Sequence, residues 1–145
     1  MAELCGAGFR AQAPRAFVTF VTADDSEAGH NYVLGALNLG RSVRAHIDPD
    51  IAFDMTVMTL RNRPLPDGAV KRLVDDGWRI CQAEHIPMRG QDLPVYERFA
   101  DQFTKLQLWR MEFYERIVYL DADTLEVGDI SVLFTRTIAP PMKIL

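Results

Sequence analysis

Asp121 and Asp123 are the residues whose type and spacing offer chemistry most directly. They follow the apolar run Ile117-Val-Tyr-Leu120, which reads as a strand, and a single alanine separates them. Residues i and i+2 of an extended chain point to the same side. Two carboxylates held that way are half of a site for a hard divalent cation. Mg²⁺ and Mn²⁺ take oxygen ligands and commonly share one or two carboxylates with substrate phosphates. The spacing leaves a second reading open, a solvated turn in which the aspartates bond nearby backbone amides. Asp48-Pro-Asp50 has the same spacing without a preceding apolar strand and is assigned no function. His30, His46 and His85 carry no motif, and none is assigned to a metal.

The elements that must position this pair can be read from apolar periodicity. Ala16-Phe-Val-Thr-Phe-Val-Thr22 is β-branched and aromatic with apolar residues on both faces, the pattern of a strand buried between layers. The polar stretch Ala23 to Asn31 reads as a loop. Tyr32, Ala36, Leu39 and Val43 then recur at helical spacing, with Asn31 as the expected N-cap and an end near His46. Phe53 to Leu60 is a second strand. Pro64 to Gly68 is a turn into a short helix with Val70, Leu73 and Val74 inward and Gly77 as its stop. Trp78 to Ala83 is a third strand. Residues 85 to 100 read as a long loop or short irregular helix. Asp101 is expected to cap a helix that buries Phe103, Leu106, Trp109 and Phe113 against a sheet. After the fourth strand, Thr124 to Val127 reads as a short strand, and Asp129 caps a turn holding Val132, Leu133 and Phe134.

This alternation of strands and helices predicts an α/β fold with a mainly parallel sheet flanked by helices. Ligands in such sheets bind beyond the C-terminal strand ends, which singles out Thr22 to Asp25 and Asp121 to Asp123. Residues 1–15 read as a mobile leader, 16–134 as the folded part and 135–145 as a separate tail.

Acidic and basic residues are mixed along the chain, with a net charge of −4, so neither a nucleic-acid nor a membrane-surface patch is indicated. No apolar run is long enough to span a membrane, and the first fifteen residues lack a secretion signal. Cys5 and Cys81 are too few and too distant in sequence for a disulfide framework or a zinc site. They read as free thiols of a reducing compartment, which places the chain in the cytoplasm.

Several stretches together resemble glycogenin-like enzymes, glycosyltransferase family 8. They are Ala16 to Thr22 followed by Tyr32 to Val43, then Phe103-Thr-Lys-Leu-Gln-Leu-Trp109, Tyr119-Leu-Asp-Ala-Asp-Thr-Leu125, and Asp129 to Phe134. Order and approximate spacing agree as well. The resemblance implies a Rossmann-like nucleotide-diphospho-sugar transferase fold of the GT-A type. It also implies a UDP-sugar donor, Mn²⁺ (or Mg²⁺) and transfer with retention to a protein or glycan acceptor. It implies donor binding by Phe17, Thr22, Tyr32, Lys105, Asp121 and Asp123, with the two aspartates as metal ligands. Ala23 stands where the family commonly has asparagine, and the Ala23 to Asn31 link is longer than usual. The family's later segments are not found after the aspartates. These are an Asn-Ser-Gly strand, further carboxylates and a His-x-x-Gly-x-x-Lys segment whose histidine is a third metal ligand. The C-terminal half is therefore expected to be missing, the chain incomplete for catalysis with no catalytic residue of its own, and apolar sheet surface left open to self-association.

Two other readings stand beside this one. Ile117 to Thr124 also fits the Asp-x-Asp-x-Thr motif of haloacid-dehalogenase-like phosphatases, with Asp121 as nucleophile and Asp123 as acid/base. Those enzymes need a downstream lysine and a further acidic pair, and the 22 residues after Asp123 hold no such arrangement. The other is a non-catalytic nucleotide-binding fragment or regulatory module.

Overall fold

The structure, a computed structural model, describes residues 3–88 and 100–136. Four strands, β1 (Arg15–Phe20), β2 (Asp54–Leu60), β3 (Trp78–Ala83) and β4 (Arg116–Tyr119), form one parallel sheet in the order β3-β2-β1-β4. The register sets Phe17 beside Met55 and Val118, and Met58 beside Cys81. Helices α1 (Glu27–Ala45) and α2 (Asp67–Asp75) carry the crossovers. This is the expected α/β architecture, a Rossmann-like sheet of the GT-A type. The strand order reverses beside β1, which leaves a crevice between the C-terminal ends of β1 and β4.

One face of the sheet buries Phe17, Val57 and Val118 against Val33, Leu37 and Val43 of α1 and Leu73 of α2. Phe17 sits between Phe53 and Phe134, with ring centroids 5.6 and 4.6 Å away. Each large side chain buried this way contributes roughly 2–3 kcal/mol. The other face packs Val18, Met58 and Cys81 against Met111 and Tyr114, with Leu4, Phe9 and Ala11 at the margin. β2 is buried along its whole length, which explains its Thr56 and Thr59 among apolar neighbours. Thr56 Oγ1 meets the Tyr114 hydroxyl at 3.1 Å, and that hydroxyl donates to Asp54 Oδ2 at 2.8 Å. Burial, more than these partners, raises the phenol above its ordinary range.

Several local expectations are corrected. α1 begins at Glu27, five residues before the Tyr32 start that an Asn31 cap implies: its N-cap is Ser26, whose hydroxyl accepts the Gly29 N–H at 3.1 Å. Residues 27–31 carry no large apolar side chain and, apart from Gly29, are exposed, so apolar periodicity did not register this first turn. Residues 102–110 form a 3-10 helix. Its three-residue period places Thr104 and Gln107 inward, and Phe103, Leu106 and Trp109 outward, with Trp109 77% exposed. The expected α-helical apolar face therefore does not form, and Phe113 is exposed too. Asp101 makes no side-chain cap there. In α2, Ala69 and Leu73 are buried while Val74 is exposed, and Gly77 at φ +91° ends the helix as expected. Residues 124–127 form no strand, and Val132–Thr135 form a one-turn helix, α3. The Asp129 carboxylate accepts the Ser131 N–H.

The thiols are also corrected. Cys5 and Cys81 form a disulfide, with Cα atoms 4.0 Å apart. Spacing in sequence is silent here because residues 3–11 fold back along β3, where Cys5 bridges Gln82. Most of the loop read over residues 85 to 100 and most of the 135–145 tail lie outside the described residues. Among the described residues, no helix is long and apolar enough to cross a membrane.

Candidate functional site

β4 ends at Tyr119, and the Leu120 N–H still donates to the Val18 carbonyl of β1. The chain then turns. Thr124 closes that turn, its N–H and hydroxyl donating to the Asp121 carbonyl at 3.1 and 2.7 Å. Asp121 and Asp123 thus flank a turn rather than lie on an extended strand end. The turn reading was half right, since the backbone turns but neither carboxylate caps an amide among the described residues. Ala122 between them is buried in the core, which fixes the turn while both aspartates face solvent.

Asp121 Oδ1 accepts two hydrogen bonds, from Lys105 Nζ at 3.0 Å and from the Tyr119 hydroxyl at 2.8 Å. These hold its carboxyl below the usual carboxylate range, the Lys105 ammonium first and the Tyr119 hydroxyl second, against a smaller opposing effect of burial. Tyr119 is displaced the other way, upward, by burial and then by its hydrogen bond to Asp121. Lys105 also lies over the Tyr119 ring, 4.9 Å from its centroid. Lysine, tyrosine and aspartate form one ordered unit, and Asp121 is ionised at neutral pH.

A cavity of about 540 Å³ opens at this point. Its lining includes Thr22, Tyr32, Lys105, Asp121 and Asp123, so five of the six expected donor-binding residues meet in one place. Thr22 follows β1, Tyr32 is on α1, and Lys105 is on the 3-10 helix, all beyond C-terminal strand ends. Phe17 is the exception. It lies in the core, 1% exposed, near the other end of β1, and does not line this cavity. Phe20, at the C-terminal end of the same strand, is the aromatic residue that does.

Three lining residues went unrecognised in the sequence: Arg63, Asp101 and Gln102. Arg63 stands in the loop after β2, and its guanidinium donates to Asp101 Oδ2 at 2.5 Å. The other oxygen of Asp101 faces His85 Nε2 at 3.2 Å. Asp101 therefore ties the loop after β2 to the segments on either side of residues 89–99. No spacing signals this, since Arg63 comes from the connection after β2, while His85 and Asp101 come from the one after β3. Arg63, Thr22 and Tyr32 also line an adjoining groove of about 840 Å³ that runs past Asp24 and Ser26 toward Pro66. Asp24 is held below the usual range by its hydrogen bonds from Ser26.

Among the described residues, no group of three or more metal-ligating side chains occurs. Asp121 and Asp123 supply two carboxylates. Oδ2 of Asp121 and both oxygens of Asp123 carry no hydrogen bond among the described residues. That donor set fits a hard cation completed by water and phosphate oxygens rather than one caged by protein.

No family model matches the chain. It is 32% identical over 119 residues to inositol phosphorylceramide glucuronosyltransferase 1 of Arabidopsis thaliana, covering 82% of this chain and 20% of that protein. Galactinol synthase 7 of the same plant is 27% identical over 133 residues, 91% of this chain and 37% of its own. Human glycogenin-2 is 29% identical over 131 residues, 84% of this chain and 23% of its own. The chain spans between about a fifth and about two fifths of the length of these relatives. A shared stretch that covers most of the chain, on a parallel sheet of this order, places it: the chain belongs to the family 8, glycogenin-like glycosyltransferases.

Proposed function

We propose that this chain forms the donor-binding part of a glycosyltransferase and binds a UDP-sugar together with Mn²⁺ or Mg²⁺ at Asp121 and Asp123. The observation that carries the reading is the convergence of Thr22, Tyr32, Lys105, Asp121 and Asp123 on one cavity at the strand-order switch. Charge explains why a cation belongs there. The lining holds three carboxylates, Asp101, Asp121 and Asp123, against two cations, Arg63 and Lys105. An excess negative charge repels a diphosphate, and a divalent cation reverses the sign. When bound, the cation neutralises charge that gathers on the leaving diphosphate.

The residues of the chain divide the remaining work. Tyr32 and Thr22 border both the cavity and the adjoining groove, where a nucleoside would extend away from the aspartates. Lys105 orients Asp121 and adds a positive charge beside the diphosphate position. Transfer with retention to a protein or glycan acceptor follows from the family resemblance and belongs to the whole enzyme.

Calorimetry with UDP, in the presence and absence of Mn²⁺, tests the reading. Metal-dependent UDP binding that disappears in both Asp121→Asn and Asp123→Asn is the expected result. UDP binding of equal strength with and without Mn²⁺, or unaffected by either substitution, sinks it.

A further inference from the structure

The segment after the aspartates is laid along α1. The Glu126 N–H donates to Ser42 Oγ at 3.0 Å, and the Ile130 N–H to the His46 carbonyl at 3.0 Å. The Asp48 N–H returns a bond to Ser131 Oγ at 2.8 Å. At the head of this seam, Gly35 faces the Ala122 carbonyl. A Cβ on residue 35 would lie 2.5 Å from that oxygen and 3.3 Å from its carbon. The obstacle is backbone, so no change of rotamer relieves it. Glycine is a poor helix former, and its place inside a nineteen-residue helix calls for a reason. Close approach of two backbones supplies one.

We propose that Gly35 is a positioning residue for Asp121 and Asp123. The bare helix surface seats the Ala122 turn against α1 and so sets the height at which the two carboxylates enter the cavity. Tyr32 lies about one turn earlier on the same rigid helix. The nucleoside side of the cavity and the seat of the carboxylate turn therefore belong to one body. Side-chain bulk at residue 35 separates them. The inference rests on reading the aspartates as cation ligands, and its test is chosen to fail separately from that reading.

Gly35→Ala is compared with Gly40→Ala. Gly40 is on the same helix, but its Cβ would meet Trp78 Nε1 at 2.8 Å and Met55 Cε at 3.0 Å, deep in the core. Both variants crowd α1, so both lose thermal stability, and only the first displaces the turn. The readouts are the backbone amide resonances of residues 121–124 in metal-free protein, and Mn²⁺ affinity by electron paramagnetic resonance with UDP present. Gly35→Ala should shift those amides and weaken Mn²⁺ roughly tenfold or more, while Gly40→Ala leaves affinity within about twofold. Unmoved amides in Gly35→Ala, or equal losses of affinity in the two variants, overturn the proposal. Should Gly35→Ala not fold, Ser42→Ala removes the acceptor of the Glu126 N–H without adding bulk. Faster amide exchange at Thr124 is then expected, and unchanged exchange counts against the seating of this segment on α1. If the unmodified chain binds no Mn²⁺, the cation reading fails, and the amide shifts still decide the role of Gly35.

Discussion

Replacing Cys5 with serine removes the covalent tie between the N-terminal segment and β3, and the size of the effect can be worked from the structure. The two cysteines are 76 residues apart in sequence. In the chain-entropy account, a loop of that length confines the unfolded state enough to stabilise the fold by about 4–5 kcal/mol. For a domain of this size each kcal/mol is worth about 3 °C in Tm, so the variant should melt about 12–15 °C lower. Cys5 is 6% and Cys81 0% exposed, so a reductant reaches the bond only after local opening. The assay is calorimetric melting of both proteins, non-reducing, with thiol titration in denaturant. The expected result is no free thiol in the unmodified chain and the stated fall in Tm for the variant. Two titratable thiols in protein purified without reductant, or a shift under about 3 °C, refutes the argument. The outcome also bears on compartment, since structural disulfides persist where the surroundings are oxidising.

Three further outcomes follow from particular contacts. Tyr114→Phe leaves Asp54 and Thr56 without their shared partner in a buried site and should cost about 1.5–3 kcal/mol by urea unfolding, whereas a loss under about 0.5 kcal/mol contradicts the hydrogen-bond geometry. Lys105→Met should raise the Asp121 pKa toward the ordinary carboxylate range, read by ¹³C-carboxyl titration. Because the folded pKa is the depressed one, the ion pair's contribution is present above the unfolded carboxylate pKa and is lost as pH falls through the folded value. Of the two tryptophans, Trp109 should be quenched readily by acrylamide and Trp78 hardly at all, and Trp109→Ser should change stability by no more than about 0.5 kcal/mol. A buried Trp109 would count against the 3-10 arrangement of residues 102–110.

The strands were legible because parallel strands buried on both faces write continuous apolar runs, as in Ala16 to Thr22 and Met55 to Leu60. A candidate site at their C-terminal ends followed from topology, and Thr22, Tyr32, Lys105, Asp121 and Asp123 do line one cavity. What periodicity misreads is a change of period. Phe103, Leu106 and Trp109 are three apart and were assigned inward, yet a three-residue turn carries that whole row outward and buries Thr104 and Gln107 instead. The resemblance grouped Phe17 with Thr22 in the donor site, but a strand extends about 3.3 Å per residue, enough to carry Phe17 from the mouth into the core. Long-range partners leave no local trace at all. Arg63 with Asp101, Cys5 with Cys81, and Tyr114 with Asp54 are each brought together only by the sheet.

The strand order has a consequence for how the chain is made. β1 occupies an interior position in the sheet, yet its neighbour on one side, β4, is pairing Arg116 with Arg15 from the far end of the described chain. A ribosome adds residues at about 5–20 per second, so the β4-facing edge of β1 waits roughly five to twenty seconds for its partner to be synthesised. During that interval Phe17, Val18 and Val21 belong to an open, apolar edge. The crevice beside Thr22 comes into being only when β4 docks.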